Sequence, residues 1–222
     1  LHIHSRFGSG NKMHNIKEGK KSVKRLKDLN IGIIARIRVS PTEYKIAVSN
    51  NRFQLFLIDL KSEKVTEIAK SKYERIEDFC FSPDGNLICY SMGNTQFLSS
   101  LYLYDIEKNE NHQITTEGFR DYQPTFDPDG RYIYFLSARE FNPVYDTSYF
   151  QLGFPLGVRP YLLSLGKDTL SPFTQEYSRL FPRKHSERED EKEDEKEDEK
   201  DQKKENKKAK KLKTLVDYEN IS

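Results

Sequence analysis

Cysteine is scarce in this chain of 222 residues, and a long apolar run is missing. Two cysteines are too few for a disulfide framework, so Cys80 and Cys89 are expected to be free thiols in the core. We expect them to be diagonal neighbours on one hairpin, with Cys80 opposite Leu87 and Cys89 opposite Asp78, too far apart for easy bridging. No stretch is long enough for a transmembrane helix, and the first residues do not resemble a signal peptide. These absences favour a soluble protein of the reducing cytosol.

The short motifs that carry most enzyme chemistry are also missing. The sequence has no Gly-x-Ser-x-Gly turn, no phosphate-binding glycine loop, no Cys/His metal spacing and no His-Glu-x-x-His. His2, His4 and His14 cluster without a cysteine or carboxylate at ligand spacing, which argues against a metal site. Most aspartates fall at turns and strand ends, where they commonly bond to nearby backbone. We therefore expect no catalytic residue, no cofactor and no metal in this chain.

What the sequence does contain is a repeated turn followed by an apolar strand. The turns include Pro41, Pro83 and Pro128, which are 42 and 45 residues apart. Proline and glycine at these positions favour tight hairpins. A second apolar run follows each turn, in the order Leu55–Leu60, Leu101–Ile106 and Tyr161–Leu165. A period in the forties with about four short strands per unit predicts the blades of a β-propeller.

The predicted fold class is all-β: a partial β-propeller of about three four-stranded antiparallel blades, plus a disordered charged linker. Blades are expected at about 31–69, 75–115 and 121–173, within residues 31–182. The strand after Pro128 is apolar at nearly every position, so both of its faces should be covered. Three blades cannot close a ring, because closed propellers have four or more. We therefore expect an internal fragment of a longer polypeptide.

Charge is nearly balanced, with 37 basic and 35 acidic residues, but it is unevenly distributed. Residues 1–30 form a basic segment, interpreted as either the remnant of a preceding blade or a loop. This segment lacks the motifs and aromatic residues of nucleic-acid binders, so neither nucleic acid nor membrane is an expected partner. Residues 183–213 form a low-complexity charged segment, acidic and then basic, with too few apolar residues to fold. We predict that it is a linker, either disordered or an isolated helix, and that residues 214–222 begin the next segment.

Two local departures from the repeat are expected to matter. The first turn has Glu43 where the later copies have Gly85 and Gly130, and a non-glycine residue at positive φ costs about 1–2 kcal/mol, so a looser turn is predicted. The third blade has about fifteen extra residues between its second and third strands. This insertion, residues 139–159, is rich in aromatic residues and is predicted to be packed. Its candidate contacts with a peptide or a neighbouring domain are Arg139, Phe141, Asn142, Tyr145, Asp146 and Arg159.

Several runs in the third blade and after the charged segment are distinctive: Phe126–Ser137, Arg139, Phe141–Asp146, Phe150, Phe154–Pro155, Arg159–Leu163, Lys167–Asp168, Ser171–Phe173 and Val216–Ile221. Together they resemble the end of the second, seven-bladed propeller of tricorn-type peptidases. The resemblance implies a large cytosolic serine peptidase that cuts oligopeptides and whose catalytic residues lie beyond Ser222. It implies that this segment is the wall of a substrate-gating channel and a scaffold. The implied partners are peptide substrate, other domains of the same chain and further copies in a homo-oligomer.

Two other functions are compatible with a propeller. One is an interaction propeller of the TolB or WD type with no peptidase attached, although the absence of tryptophan counts against the WD type. The other is the propeller of a prolyl-oligopeptidase-like enzyme, which the insertion motif disfavours. Peptidase regions after Ser222 would decide for the tricorn-type interpretation, whereas their absence would favour the interaction module.

Overall fold

A computed structural model describes residues 2–4, 12–17, 20–25, 29–146, 151–166, 169, 171–172, 214 and 216–217. The described strands form sheets that are antiparallel except for one parallel bridge, and the predicted all-β partial propeller is confirmed. The charged segment, residues 183–213, lies outside the described residues. Its predicted disorder stays a prediction.

The basic N-terminal segment contains a small antiparallel sheet. Its three strands pair in the order β1 (His2–His4), β2 (Lys12–Lys17) and β3 (Lys20–Arg25). The segment therefore has strand structure, and it is not simply a loop.

The first blade is a regular four-stranded meander. Its strands pair in chain order: β4 (Ile34–Val39), β5 (Lys45–Asn50), β6 (Gln54–Asp59) and β7 (Val65–Lys70). Together the four strands span residues 34–70. Alternate residues of the two middle strands point to opposite faces of the sheet and are buried on both.

The second blade repeats this arrangement with β8 (Phe79–Phe81), β9 (Leu87–Gly93), β10 (Ser99–Asp105) and β11 (Glu110–Gln113). One predicted detail is wrong, because Cys80 pairs directly with Cys89 and not with Leu87. The hairpin closes one residue later than expected, since the backbone N–H of Leu87 donates to the Ser82 hydroxyl at 3.0 Å and Ser82 N–H donates to the Leu87 carbonyl at 3.0 Å. Both cysteines remain free thiols.

The third blade includes β12 (Arg120–Phe126), β13 (Tyr132–Ala138) and, after the insertion, β16 (Arg159–Ser164). Within the insertion, β14 (Val144–Asp146) and β15 (Gln151–Gly153) form a separate hairpin. The insertion therefore lies between the second and third strands, as predicted. A parallel bridge between Ser99 and Arg120 joins the second and third blades at one end.

Neighbouring blades pack face to face through apolar clusters. One cluster joins the first blade to the second, through Ala47, Leu55, Leu57, Ile68, Ile76, Phe79, Ile88, Tyr90 and Tyr104. Another joins the second to the third, through Leu87, Cys89, Leu101, Leu103, Ile114, Phe126, Ile133, Phe135 and Leu165. Burial of each large side chain contributes about 1.5–3 kcal/mol. The far face of β13 is more open than predicted, because Tyr134 is 42% exposed.

The turns between first and second strands share one closing hydrogen bond in all three blades. Backbone N–H groups of Ser40, Ser82 and Asp127 each donate across the turn, at 2.9, 3.0 and 3.0 Å. Gly85 and Gly130 have positive φ angles of 76° and 68°, but Glu43 does not. The first turn therefore avoids the strain expected at Glu43. It is looser, as predicted, because Glu43 N–H donates to the Ser40 hydroxyl at 3.3 Å, whereas Gly85 and Gly130 N–H donate to backbone carbonyls at 2.9 and 3.0 Å.

Candidate functional site

A buried ion pair anchors the start of the insertion. Asp121, at the beginning of β12, has a fully buried side chain, and its Oδ2 accepts a hydrogen bond from Arg139 Nη2 at 2.9 Å. The Ser137 hydroxyl donates to Asp121 Oδ1. Arg139 Nε donates in turn to Ser137 Oγ at 2.9 Å. One carboxylate, one hydroxyl and one guanidinium thus form a closed network at the end of the second strand.

Aromatic rings surround the Arg139 guanidinium. It lies 4.7 Å from the ring centre of Phe119, 5.0 Å from that of Tyr161 and 5.6 Å from that of Phe135. A guanidinium over an aromatic face is stabilised by the ring quadrupole. In the structure the charged group of Arg139 is engaged by Asp121 and these rings, and its predicted contact with a peptide or a domain stays a prediction. Its structural effect is to fix the start of the insertion.

The same network connects the third blade to the second. The hydroxyls of Ser91 and Ser99, at the adjacent ends of β9 and β10, both donate to the backbone carbonyl of Asp121 at 2.7 Å. These bonds are buried, so each is protected from competing water. The junction between the two blades therefore combines an apolar face with a polar clamp at one end.

Beyond the Asp121–Arg139 pair, the insertion exposes apolar side chains. Phe141 is 79% exposed and Phe154 is 47% exposed, and their ring centres are 5.3 Å apart. Val144 and Tyr145 are each 55% exposed. A group of exposed apolar residues is typical of an interaction surface. We call these four residues, together with exposed Leu156, the insertion surface.

The structure separates the six predicted contact residues into different environments. Phe141, Asn142 and Tyr145 are exposed on the insertion. Arg159 Nη2 pairs with Glu140 Oε2 at 2.7 Å, which joins the two ends of the insertion. The side chain of Asp146 lies outside the described residues, although its backbone belongs to β14. Contact of any of the six with a peptide stays a prediction.

Sequence reasoning missed an open cavity between the first two blades. It has a volume of about 580 Å³ and lies where β7 and β9 end, with Lys70, Tyr73, Met92, Leu98 and Glu117 among its lining residues. Ligand pockets usually have volumes of about 300–1,000 Å³. Three separate loops form the cavity, so no sequence motif could have revealed it.

The first strands of the three blades form the inner edges of the sheets. Arg36 on β4 approaches Glu77, just before β8, with 3.7 Å between Nη2 and Oε2. Asp78 Oδ2 accepts a hydrogen bond from the backbone N–H of Gln123 on β12 at 3.3 Å. Arg36 and Glu77 are each about half exposed. Polar side chains therefore link the inner edges from blade to blade, although Val39 on β4 is exposed.

Neither cysteine is activated as a nucleophile. Burial raises the pKa of the Cys80 thiol to about 12 and raises the pKa of Cys89 as well. Thiolates are the reactive form, so both groups are inert near neutral pH. His112 Nε2 lies 3.7 Å from Glu110 Oε2 on the outer strand. Among the residues that the structure describes, no cluster of His, Cys, Asp or Glu could hold a metal ion.

The arrangement of blades and insertion agrees with comparison to known proteins. The family model for the tricorn protease second beta propeller domain matches residues 9–221. This chain belongs to that family. The tricorn-type resemblance inferred from the insertion motif and the turns is thereby confirmed. Its finer functional implications are separate proposals.

Relatives of the tricorn family share clear sequence identity with the chain. It is 38% identical over 154 residues to a Tricorn-like protease C-terminal subunit of Sulfurisphaera tokodaii, covering 69% of this chain and 18% of that relative. It is 35% identical over 157 residues to a Tricorn protease homolog of Saccharolobus solfataricus, covering 71% of this chain and 14% of the relative. The chain thus spans less than a fifth of the length of these tricorn relatives.

A solved structure supports the same fold. The crystal structure of the tricorn protease superposes with a TM-score of 0.69 at 25% identity, covering 84% of this chain and 18% of the other. Among the described residues of this tricorn-family chain, no helix has the length and apolar character needed to span a membrane.

Proposed function

We propose that this chain is a non-catalytic propeller segment of a tricorn-like cytosolic serine peptidase that degrades oligopeptides. In this role the blades form part of a channel wall that gates substrate entry, and they hold neighbouring domains in place. Family membership is the observation that carries the proposal. The chain covers only a small part of each relative's length, as expected for a segment of a larger enzyme.

The chemistry of the inner edges supports a channel wall. A channel that passes unfolded peptides needs a polar surface that does not trap apolar side chains. The inner strands expose Arg36 and Arg38 on β4, and Arg120 and Thr125 on β12. The clustered apolar residues of the same blades are buried between sheets. This separation gives a peptide polar contacts along the edges without exposing the core.

The insertion surface supports the scaffold role. It projects from the end of the third blade and is anchored by the Asp121–Arg139 pair. Its exposed aromatic residues, including Phe141 and Phe154, would be covered by a neighbouring domain of the parent enzyme. Contact with a peptide is the alternative use of the same surface.

The channel role is tested in the full-length protein that contains this chain. Thr125→Trp adds bulk at the inner edge, and we expect it to lower kcat/KM for a long unfolded peptide about fivefold. A dipeptide amide should be hydrolysed at an unchanged rate because it passes a narrower opening. Lys64→Trp adds the same bulk on an exposed outer turn and is the matched control.

Three results would contradict the proposal. The first is equal hydrolysis of the long peptide by both tryptophan variants, which would refute the channel wall. The second is peptide hydrolysis by the isolated chain, which would refute the non-catalytic role. The third is the absence of peptidase activity from the full-length protein, which would favour an interaction propeller.

A further inference from the structure

The chain that follows the charged segment returns to the third blade. Thr214 is only 8% exposed, and Val216 packs against the apolar cluster between the second and third blades. The backbone N–H of Asp217 donates to the carbonyl of Leu165, just after β16, at 2.9 Å. Residues 214 and 217 are therefore in contact with elements that precede the charged segment.

Leu165 occupies the same place in its blade as Leu60 and Ile106 in theirs. Each follows the third strand, and each backbone N–H donates to a carbonyl of the turn between first and second strands. The distance is 2.8 Å for Leu60 and 3.0 Å for both Ile106 and Leu165. In the first two blades the fourth strand then begins within a few residues, at Val65 and Glu110. In the third blade Asp217 lies beside this position. It stands where a fourth strand would begin.

The surface that receives Thr214 is built from two of the repeated turns. Asp84 Oδ2, in the turn of the second blade, accepts the backbone N–H of Thr214 at 2.7 Å. In the turn of the third blade, a Cβ added at Gly130 would lie 2.7 Å from Thr214 Oγ1. Glycine is therefore needed there both for its φ of +68° and for close approach.

Asp84 is suited to accept this backbone hydrogen bond. Burial raises the pKa of its carboxyl group, but hydrogen bonds from Ser82, Thr214 and Asn86 outweigh burial, so the pKa is lower than usual. The group is thus ionised at neutral pH. A hydrogen bond to a carboxylate is roughly twice as strong as one between neutral groups.

We propose that the chain from Thr214 to Asp217 begins the fourth strand of the third blade, and that Asp84, Gly130 and Leu165 form a recognition site for this segment. The charged segment then connects the third and fourth strands of one blade. This differs from the interpretation of residues 183–213 as a linker to a new segment. The insertion and the charged segment then lie at opposite ends of the third blade, because consecutive strand connections alternate ends in an antiparallel sheet.

The proposal is tested by cutting the charged segment in the full chain. A recognition sequence for a site-specific protease is placed between Glu189 and Lys200, and the native protein is cleaved and applied to a size-exclusion column. We expect the C-terminal piece to elute with the rest of the chain and to separate from it only in denaturant. Separation of the two pieces without denaturant would overturn the proposal.

The recognition site itself is tested by substitutions at equivalent turn positions. Asp84→Asn keeps the shape but removes the charge that accepts Thr214 N–H, so we expect release of the cleaved piece to be about tenfold faster, or about 1.4 kcal/mol. Asp129→Asn is the matched control, because Asp129 follows the turn proline in the third blade and pairs with Arg131 instead. Circular dichroism of the uncut variants confirms that both are folded. Equal release rates for the two variants would show that Asp84 is not part of the recognition site.

Discussion

Replacing Arg139 by alanine should destabilise the protein strongly, although this residue lies at the edge of a surface insertion. The substitution leaves the Asp121 carboxylate fully buried without its ion-pair partner. Breaking a buried pair in this way typically costs about 3–5 kcal/mol. The Arg139 side chain is 25% exposed, so solvent screens part of the pair, and we expect the lower value, about 3 kcal/mol. For a domain of this size, the melting temperature should fall by about 6–12 °C.

The assay is urea unfolding followed by tyrosine fluorescence, because the chain has no tryptophan. Arg131→Ala is the matched control: Arg131 pairs with Asp129 at the same distance of 2.9 Å, but both side chains are more than half exposed. Exposed pairs contribute about 0–1 kcal/mol, so this loss should be small. A double variant, Asp121→Asn with Arg139→Met, removes both charges and should recover at least half of the lost stability. Equal costs for Arg139→Ala and Arg131→Ala would refute the argument.

Three further outcomes are expected. Gly85→Ala and Gly118→Ala both place alanine at positive φ, which costs about 1–2 kcal/mol, but only the methyl group at residue 85 collides with a neighbouring turn; thermal melts should show the larger loss there. Glu43→Gly should destabilise by about 0.5–1 kcal/mol, since residue 43 does not need a positive φ; a rise in melting temperature would contradict this. Desolvation raises the pKa of the partly exposed Cys80 thiol to about 12 and Cys89 is fully buried, so both should resist an aromatic disulfide reagent at pH 8 until the chain is unfolded; rapid labelling of the native protein would contradict this.

The sequence contained enough information to predict the blades, because their spacing depends on local chemistry. Proline and glycine fix the turns, and the apolar strands between them can be buried only by stacking sheets. The register of β8 and β9 was harder to predict. Turn composition alone did not distinguish a loop of residues 82–85 from one of residues 83–86. The hydrogen bonds of Ser82 to Leu87 select the second loop and bring Cys80 opposite Cys89.

The insertion was predicted at its place in the third blade, whereas contact of its residues with a peptide or a domain stays a prediction. The length and aromatic content of the insertion indicated a functional segment, and Phe141 and Tyr145 are exposed as a contact surface requires. The role of Arg139 could not be predicted, because its partner Asp121 lies 18 residues earlier in the chain. Only the pairing of β12 with β13 brings the two together. An ion pair across a sheet leaves no fixed spacing in the sequence.

Polar clamps hold the third blade to the second at both ends of their shared apolar face. At one end the serine hydroxyls of β9 and β10 bind the Asp121 carbonyl, and at the other Asp84 binds Thr214. Apolar packing between the two sheets is strong but non-directional, so by itself it would tolerate sliding and rotation. Hydrogen bonds with fixed geometry oppose both motions. These hydrogen bonds lie beside the two places where the insertion and the charged segment interrupt the regular repeat. They keep the third blade fixed to the second despite these two long interruptions.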